Sequence, residues 1–435
     1  MNRTPPIDFA RSAPAGRGSS GRQVAPPPFV LDNVPGPLPT MATLEILRKL
    51  VGFNTESSES NLELIFWCRE YLQSHGVPCR LSFDSQGRKA NLFASVGTGH
   101  LPGLMLAAHT DVVPVSGQTW TSDPFVAVQR HGRIYGRGVA DAKGYIAACL
   151  SMVPRIIEAG LERPIHIALT FDEETSMDGV KRLLVDMRDV TSPMPQGCLL
   201  GCPTEMQPVV GHKGRAHWVC RVRGKDAHSA LVPRAMNAIE NAAVIVLQIQ
   251  SLAARRLERE EPDRAYDVHH STVQTGMIRG GLSANTVPSL CEFDVEMRHL
   301  PRTNVEQFEA ELRQFLETEM LPRMRAQHPD AAVEWVRRSY LPPYEFAGES
   351  AHGNGRVAAL LRRLSRASAQ RPRYVSFGTE AGWYQRDGIP TVMIGPGSIS
   401  LAHRPDEYVE MSQLAQCEAL IARVISDLLP EEPNG

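Results

Sequence analysis

Five short motifs rich in acidic, histidine or cysteine residues stand out in this chain, and four of them come just after an apolar run. The residues in these motifs that could do chemistry are His109, Asp111, Asp141, Glu173, Glu174, Cys202 and His403. Imidazole, carboxylate and thiolate groups are ligands of divalent metal ions, and two such ions held close together can activate water. The set therefore predicts a two-metal hydrolase.

The first two motifs offer metal ligands on extended chain and in a glycine-rich turn. His109 and Asp111 are two residues apart after the apolar run 104–108, so their side chains can point the same way. Because a metal-bound histidine needs a hydrogen-bond partner for its other ring nitrogen, we expect His109 to bind metal and Asp111 to orient it. Asp141 lies in the glycine-rich segment 136–144, where one aspartate can bridge two cations. Either motif alone would more often be an ordinary loop.

The third motif places two acids after a run that reads as a buried strand. Glu173 and Glu174 follow the apolar run 165–171, where adjacent carboxylates repel each other unless positive charge is near. One glutamate can bind metal while the other takes a proton from water. The alternative is an acidic first turn of the next helix. His403, within the segment 395–407, adds a second imidazole that is distant in sequence.

The overall composition is that of a soluble globular protein, with 435 residues, 42% apolar and 22% charged residues, and a net charge of −2. This balance gives no sign of a nucleic-acid or membrane-surface partner, and no apolar run has the length of a membrane span. The eight cysteines form no Cys-x-x-Cys pair, which favours reduced thiols and a cytoplasmic location. The chain length predicts two domains.

The order of apolar runs predicts an α/β protein with an inserted domain. Short apolar strands alternate with helices in 41–213 and 341–435, which predicts a mostly parallel catalytic sheet with helices on both faces. The apolar pattern predicts a strand at 165–171 and helices at 145–159, 237–257, 304–327 and 355–367. The order β-α-β-β-α-β in 214–340 is typical of a ferredoxin-like α+β lid domain. Residues 1–40 are rich in proline and glycine, and we expect a disordered extension there. A transit peptide is the less favoured alternative, and Met41 is an alternative start.

These motifs resemble those of the zinc metallopeptidase and deacylase family that includes acetylornithine deacetylase, succinyl-diaminopimelate desuccinylase and aminoacylase. The resemblance extends from about Met41 to Leu429. The matching segments are 109–111, 136–144, 172–177, 211–214, 378–381 and 395–407. Within the family, they look most like acetylornithine deacetylases. The resemblance implies two zinc ions, with cobalt possible, and a homodimer that forms through the lid.

The resemblance also implies a role for each matching residue of the metal motifs. His109 would bind one ion, and Asp141 would bridge both ions. Glu174 and His403 would bind the other ion. Glu173 would be the general base. Amide hydrolysis by a water that two cations activate would follow from such a set.

Further roles fall on the lid and on the last part of the chain. By resemblance, His228 of the lid would reach the partner subunit's site and stabilise the oxyanion. Asn285 and Arg298 match lid positions that hold the substrate carboxylate, which an arginine can bind with two parallel hydrogen bonds. Gly378 and Glu380 would also contact substrate, with Glu380 facing a cationic tail.

At Cys202 the chain departs from the family pattern, because it reads Gly-Cys-Pro-Thr where the family has a glutamate ligand in Gly-Glu-Pro-Thr. Three interpretations are open. Cys202 binds zinc as a thiolate, or the first ion is weakly held and the enzyme runs slowly on one ion, or Glu205 substitutes. Glu205 is three residues further on, where its side chain would point elsewhere. We favour the thiolate, which zinc accepts readily and which would disfavour metals that prefer oxygen.

The substrate expected from the resemblance is N2-acetyl-L-ornithine, whose hydrolysis gives L-ornithine and acetate in arginine biosynthesis. One alternative is a deacylase or dipeptidase for another N-acyl amino acid, such as N-acetylcitrulline or N-succinyl-diaminopimelate. The other is a catalytically impaired, ligand-binding relative, for which Cys202 is the only support. Metal content and a substrate panel would separate these possibilities.

Overall fold

The structure is a computed structural model that describes residues 28–31, 34–97, 99–191, 193–346, 356–365 and 373–429. Its strands are β1 (Cys79–Phe83), β2 (Ala90–Val96), β3 (Leu104–His109), β4 (Val128–Arg130), β5 (Arg133–Tyr135), β6 (Ile165–Thr170), β7 (Cys198–Leu200), β8 (Val209–His212), β9 (Gly214–Arg223), β10 (Ala227–His228), β11 (Thr272–Gly280), β12 (Thr286–Val287), β13 (Leu290–His299), β14 (Ala332–Leu341), β15 (Tyr344–Glu345), β16 (Arg373–Val375), β17 (Thr391–Met393) and β18 (Tyr408–Glu410). Its α-helices are α1 (Met41–Val51), α2 (Leu62–Ser74), α3 (Gly144–Ser151), α4 (Val153–Glu158), α5 (Asp178–Val190), α6 (Ala238–Arg259), α7 (Val305–Phe315), α8 (Leu321–Gln327), α9 (Arg356–Ser365), α10 (Ala381–Arg386) and α11 (Met411–Leu428). None of the helices in these ranges is long and apolar enough to cross a membrane.

The larger sheet has four parallel strands at its centre. Within the described ranges its order is β1-β2-β6-β3-β7-β17-β8-β15, with β16 also paired to β8. The central strands β6, β3, β7 and β17 run parallel, whereas the pairs toward both edges are mainly antiparallel. Parallel strands are buried on both faces, which explains why β3 and β6 are mostly apolar and are buried along their whole length. The expected α/β class is therefore confirmed, with antiparallel strands at the edges.

Helices cover both faces of this sheet. Alternate residues of a strand point to opposite faces, and in β3 Leu106 packs on one side while Met105 packs on the other. The Leu106 side forms a core with α1, α2, α3, α4, α9 and α11. The Met105 side forms a second core with α5 and α10. The sheet is thus held rigidly from both sides, and its strand ends are fixed positions for functional loops.

A second, antiparallel sheet has the strand order β11-β13-β9-β14. Along the chain its elements follow as β9, α6, β11, β13, α7 and β14, which is the expected β-α-β-β-α-β order of a ferredoxin-like unit. One face of the sheet packs under α6, α7 and α8, where Trp218 and Phe293 are fully buried. The exact division of the chain into a catalytic part and a lid at residues 214–340 remains a prediction.

The N-terminal segment differs from the expectation of a disordered extension. Phe29 is only 6% exposed and joins the main core, with the Arg48 guanidinium 3.9 Å from its ring centre. The backbone of Val30 exchanges hydrogen bonds with the Gln129 side chain, and the Thr40 hydroxyl caps α1. The expectation is therefore wrong for 28–31 and 34–40. Residues 1–27, 32 and 33 lie outside the described residues.

A single helix expected over residues 145–159 is two helices. α3 ends at Ser151, and α4 begins at Val153 with Pro154 in its first turn. Proline has no N–H to donate to the carbonyl of the preceding turn, and its ring crowds that carbonyl, so one continuous helix is unfavourable there. The helix expected at 355–367 is present as α9, and the remaining residues of that range lie outside the described chain.

Candidate active site

The carboxyl ends of the parallel strands bring the sequence motifs together. β3 ends at His109, and Glu173 follows the end of β6. Cys202 follows the end of β7, and the loop after β17 carries His403. Because these four strands are parallel neighbours, their ends meet at the same edge of the sheet. The loops after the strands therefore converge on one site.

Two overlapping groups of ligand atoms form at this edge. His109, Glu173 and Glu174 each offer an atom within 4.8 Å of the others, and so do Asp141, Glu174 and His403. His109 Nε2 lies 3.0 Å from Asp141 Oδ1. On the other side, His403 Nε2 lies 2.8 Å from Glu174 Oε1 and 3.6 Å from Asp141 Oδ2. The Asp141 carboxylate thus lies between the two imidazoles.

Asp111 forms hydrogen bonds with His109 and with the backbone of both glutamates. His109 Nδ1 donates to the Asp111 carbonyl at 2.9 Å, which leaves Nε2 to face Asp141. The Asp111 carboxylate accepts hydrogen bonds from the backbone N–H groups of Glu173 and Glu174 at 3.1 and 3.2 Å. It also accepts the Ser57 hydroxyl at 2.7 Å, a contact that the sequence motifs did not indicate. Asp111 therefore orients the two glutamates as well as the histidine.

Burial and close charges shift the pKa values in this cluster. Burial raises the pKa of Glu174, and it raises the pKa of Glu173 well above its ordinary range. Burial would also raise the pKa of Asp141, but hydrogen bonds with the two histidines outweigh it and lower that pKa. Hydrogen bonds with Asp141 and Glu174 raise the pKa of His403 to about 10. Without added cations the cluster therefore retains protons to offset its negative charge.

This donor set fits two divalent cations. Three carboxylates and two imidazoles lie in one cluster, in which His109 is buried, the carboxylates are partly buried and His403 is exposed. So many close negative groups are unfavourable unless positive charge compensates them. Imidazole nitrogen and carboxylate oxygen are normal ligands of zinc and of neighbouring transition metals. Glu174 belongs to both groups of ligand atoms, so the groups are close enough to hold two neighbouring ions.

A cavity opens beside the cluster. It is lined by His109, Asp141, Glu173, Glu174, Leu200, Gly201, Cys202, Pro203, Phe377, Gly378, Thr379, Glu380, Ile399 and His403. Phe377 and Ile399 supply apolar wall that the sequence motifs did not single out. Apolar walls with a few converging polar groups are typical of sites for small molecules. The cavity therefore joins the expected ligands to the expected substrate residues Gly378 and Glu380.

Cys202 lies in the cavity wall but outside both ligand groups. Its side chain is buried, with 6% exposure. Burial, together with the charges of Asp141 and Glu173, raises the pKa of the thiol well above its ordinary value. A nearby cation would act in the opposite direction and favour the thiolate. Ligation by Cys202 therefore remains a prediction.

Glu380 is a buried carboxyl group in the same cavity wall. Its side chain accepts the Tyr384 hydroxyl at 3.2 Å through Oε2, while Oε1 has no hydrogen-bond partner among the described residues. Burial raises its pKa to about 7. An unpaired carboxyl oxygen of this kind can accept a hydrogen bond from a ligand.

The lid residues do not line this cavity. His228 and Asn285 are exposed, and they lie close to each other because the Ser229 N–H donates to the Asn285 carbonyl at 2.9 Å. Arg298 donates to Glu296 at 2.8 Å. The roles of His228, Asn285 and Arg298 in binding substrate or stabilising charge therefore remain predictions.

Comparison with known proteins gives a family match over most of the folded chain. Residues 105–427 match the model of peptidase family M20/M25/M40. The acetylornithine deacetylase of Proteus mirabilis strain HI4320 is 30% identical over 90% of this chain and 97% of its own length. The acetylornithine deacetylase of Shigella sonnei strain Ss046 is 31% identical over 88% of this chain and 96% of its own.

Solved structures share the fold at low identity. An M20 family metallo-carboxypeptidase from Sulfolobus solfataricus has a TM-score of 0.69 at 16% identity, covering 89% of this chain and 99% of its own. Human carnosine dipeptidase 1 has a TM-score of 0.65 at 16% identity, covering 89% of this chain and 96% of its own. A dinuclear metal-binding M20 peptidase from Bacillus subtilis has a TM-score of 0.55 at 15% identity, covering 89% of this chain and 97% of its own. With its conserved fold and its cluster of ligand atoms, the chain belongs to peptidase family M20/M25/M40 and is a metal-dependent amide hydrolase.

Proposed function

We propose that this chain is a two-metal deacetylase that removes the acetyl group from N2-acetyl-L-ornithine to give L-ornithine and acetate. The observation that carries the proposal is the central Asp141 carboxylate, which lies 3.0 Å from His109 and 3.6 Å from His403. The substrate is supported by two relatives of about 30% identity that are acetylornithine deacetylases. This activity would place the protein in arginine biosynthesis, in the cytoplasm.

The proposed ligands divide between two ions. His109 would hold one ion, and Glu174 with His403 would hold the other, with Asp141 between them. The metal would be zinc, with cobalt as a possible substitute. When bound, two divalent ions polarise the amide carbonyl and make the attacking water more acidic.

Glu173 is the proposed general base of the reaction. Its carboxyl lies in the cavity wall, and its backbone N–H is fixed by Asp111 at 3.1 Å. It would take a proton from the attacking water and later give that proton to the leaving nitrogen, which balances the two proton transfers of amide hydrolysis. His228 of the partner subunit would donate a hydrogen bond to the oxyanion.

The proposed substrate contacts lie at the two ends of the amino acid. The free oxygen of Glu380 would accept a hydrogen bond from the cationic side chain of ornithine. Arg298 and Asn285 of the lid would hold the α-carboxylate, and Gly378 would lie against the acyl group. This arrangement predicts that N-acetylcitrulline, which has no cationic tail, is a poorer substrate.

Cys202 is the proposed third ligand of the ion at His109. It lies in the cavity wall beside Asp141 and Glu173, where the family pattern has a glutamate. Zinc accepts a thiolate readily, and a bound cation would offset the burial that now favours the protonated thiol.

The test is metal content and hydrolysis of a substrate panel by purified protein and by two variants, Cys202→Ser and Cys202→Glu. The panel holds N2-acetyl-ornithine, N-acetylcitrulline, N-succinyl-diaminopimelate and a dipeptide. We expect about two ions per chain and preference for acetylornithine in the natural protein, about one ion in Cys202→Ser, and little change in Cys202→Glu. No bound ion, or no hydrolysis of any member of the panel, would refute the proposed function. A rate gain of about 100-fold or more in Cys202→Glu would refute thiolate ligation.

A further inference from the structure

A fully buried ion pair lies behind the ligand cluster and outside the cavity wall. Arg137 Nη1 donates to Glu407 Oε2 at 2.8 Å, and both side chains are 1% exposed. The same carboxylate accepts three backbone N–H groups of the loop that carries Asp141: Gly138 at 3.1 Å, Ala140 at 2.9 Å and Asp141 itself at 3.3 Å. Glu407 therefore fixes the backbone from which the central carboxylate projects.

The other side of the pair leads to His403. Arg137 Nη2 donates to Gln118 Oε1 at 2.6 Å, and Gln118 Nε2 donates to the His403 carbonyl at 2.9 Å. Arg137 also donates to the Arg404 carbonyl at 3.3 Å. One chain of hydrogen bonds thus joins the loop of Asp141 to the loop of His403, although the two are more than 260 residues apart in sequence.

The backbone at His403 needs this support. His403 has φ of 67°, in the left-handed region that residues with a side chain rarely adopt. Such a conformation costs about 1 kcal/mol or more and persists only where surrounding contacts hold it. The contacts here are the Gln118 bond to the His403 carbonyl and, one turn further, Asp406, which accepts Thr121 N and Oγ1 at 2.9 Å.

Burying a charged pair is expensive, and an apolar pair of similar size would often be as stable. Stability alone therefore does not account for this pair. What an apolar pair could not supply is the set of directed hydrogen bonds to the two metal-ligand loops. We propose that Arg137 and Glu407, extended by Gln118, are positioning residues that set the spacing between Asp141 and His403, and thereby the affinity of the ion at Glu174 and His403. The inference rests on the proposed two-metal site.

The test compares how Co²⁺ binds to the full natural chain and to the variants Glu407→Gln and Gln118→Ala. Titration calorimetry measures the affinity, and the visible absorption of bound Co²⁺ reports its coordination. His403→Ala, which removes an imidazole ligand, identifies the titration step that belongs to that ion. The matched control is Glu410→Gln, which breaks the partly exposed Arg133–Glu410 pair, 2.8 Å apart on neighbouring strands. Gln118 is partly exposed, so its truncation leaves the core intact.

For the titration step that His403→Ala identifies, we expect the Co²⁺ affinity to fall about 10- to 100-fold in Glu407→Gln. In Gln118→Ala we expect this affinity to fall as well, but by less. The Co²⁺ spectrum should change in both, and the control should match the natural protein. Equal affinity and an unchanged spectrum in Gln118→Ala and Glu407→Gln, with two ions still bound by the natural protein, would overturn the inference alone. If the natural protein binds no ion, the proposed function and this inference both fail.

Discussion

The Glu173 carboxyl group has the surroundings that a general base requires. Burial raises its pKa well above the ordinary value, and the charges of Glu174 and Asp141 add to this effect. A carboxylate with raised pKa accepts a proton from water more readily, and cations bound beside it would bring that pKa down toward the working pH. Its backbone is held by Asp111, so the side chain starts from a fixed position.

We therefore predict that Glu173→Gln lowers kcat by about 10²- to 10⁴-fold while about two ions stay bound, because glutamine keeps the shape but cannot take the proton. Steady-state kinetics and metal analysis of the same sample measure both quantities. Glu258→Gln, on the exposed side of α6, is the control and should leave both unchanged. Retained kcat in Glu173→Gln would assign the proton transfer to another group.

The raised pKa of Glu380 makes the free energy of unfolding depend on pH. Its pKa is about 7 in the folded protein because of burial, against 4.5 for an ordinary glutamate. Between these values the folded chain keeps a proton that the unfolded chain has lost, so stability falls as the pH rises through this window. Above pH 7 the cost of the buried charge is about 3 kcal/mol.

Glu380→Gln carries no such charge, and we expect its stability relative to the natural metal-free chain to rise by about 3 kcal/mol between about pH 4.5 and pH 8. Urea unfolding in the presence of a chelator measures the difference at both pH values. Glu258→Gln again serves as the reference, because that side chain is exposed. A difference that does not change with pH would mean that Glu380 is not the group that titrates.

The residues of the proposed metal site could be predicted from the sequence because they lie in short motifs, several of them next to a strand end, as His109 and Glu173 do. Contacts between residues far apart in sequence could not. Ser57 reaches Asp111 from another part of the chain, and Gln118 reaches the backbone of His403, so neither forms a local pattern. Glu407 was within a quoted motif, but only the fold shows that it binds the loop of Asp141.

At the scale of elements, Phe29 is the most deeply buried contact of the segment 28–31 that precedes α1. Phe29 lies against the core under Arg48, whereas its neighbour Val30 is 53% exposed. We predict that Phe29→Ala lowers the free energy of unfolding by about 2 kcal/mol, the value of one buried apolar side chain, because the segment can detach without disturbing the sheet. Starting the chain at Met41 should cost at least as much, since it also removes the Thr40 cap of α1.

Chemical denaturation of the two variants measures this loss. Val30→Ala is the matched control in the same segment and should change the free energy of unfolding by less than about 0.5 kcal/mol. If Phe29→Ala is as stable as Val30→Ala, the Phe29 ring does not contribute to the stability of the fold.

Periodic elements were predictable, and isolated anchors were not. The helix at 237–257 and the strand at 165–171 were expected close to their observed ends, because an apolar repeat marks each of them. The helix expected at 304–327 has the right outer ends, but a π-helical turn at Leu316–Met320 divides it into α7 and α8. The sequence around Phe29 is rich in proline and glycine, a composition that predicts disorder, so the burial of the Phe29 ring was not expected. The strand β1 was also missed, because a short edge strand carries a weak periodic signal. The strand β2 was missed as well, because it is buried on both faces and shows no alternation of apolar and polar residues.

At the scale of the whole molecule, the lid presents an apolar surface beside an open sheet edge. Among the described residues, β11 is paired only on the β13 side. Met277 and Ile278 on β11 are 50% and 53% exposed, and Leu247 and Leu257 on α6 are 63% and 52% exposed. Exposed apolar residues next to an unpaired strand favour association with a second copy of the chain. This supports the proposed homodimer.

The proposed dimer places His228 of one subunit at the proposed metal site of the other, which gives a prediction about mixed dimers. Glu173→Gln and His228→Ala should each be nearly inactive as pure dimers. A dimer with one subunit of each kind has one site in which both Glu173 and His228 are intact. After subunit exchange of an equal mixture, we therefore expect about a quarter of the natural activity, because half of the dimers are mixed and each has one working site of two.

Subunit exchange is started by mild denaturant and refolding, and the mass in solution is measured by light scattering before the assay. The control mixes Glu173→Gln with Asp141→Asn. Each substitution damages the site of its own subunit, so both sites of a mixed dimer are defective and mixing restores no activity, whether or not His228 acts across the interface. Recovery only in the His228 mixture means that His228 acts across the subunit interface. Mixed dimers without recovery would place its action within its own chain, and a monomer with full activity would remove the need for a dimer altogether.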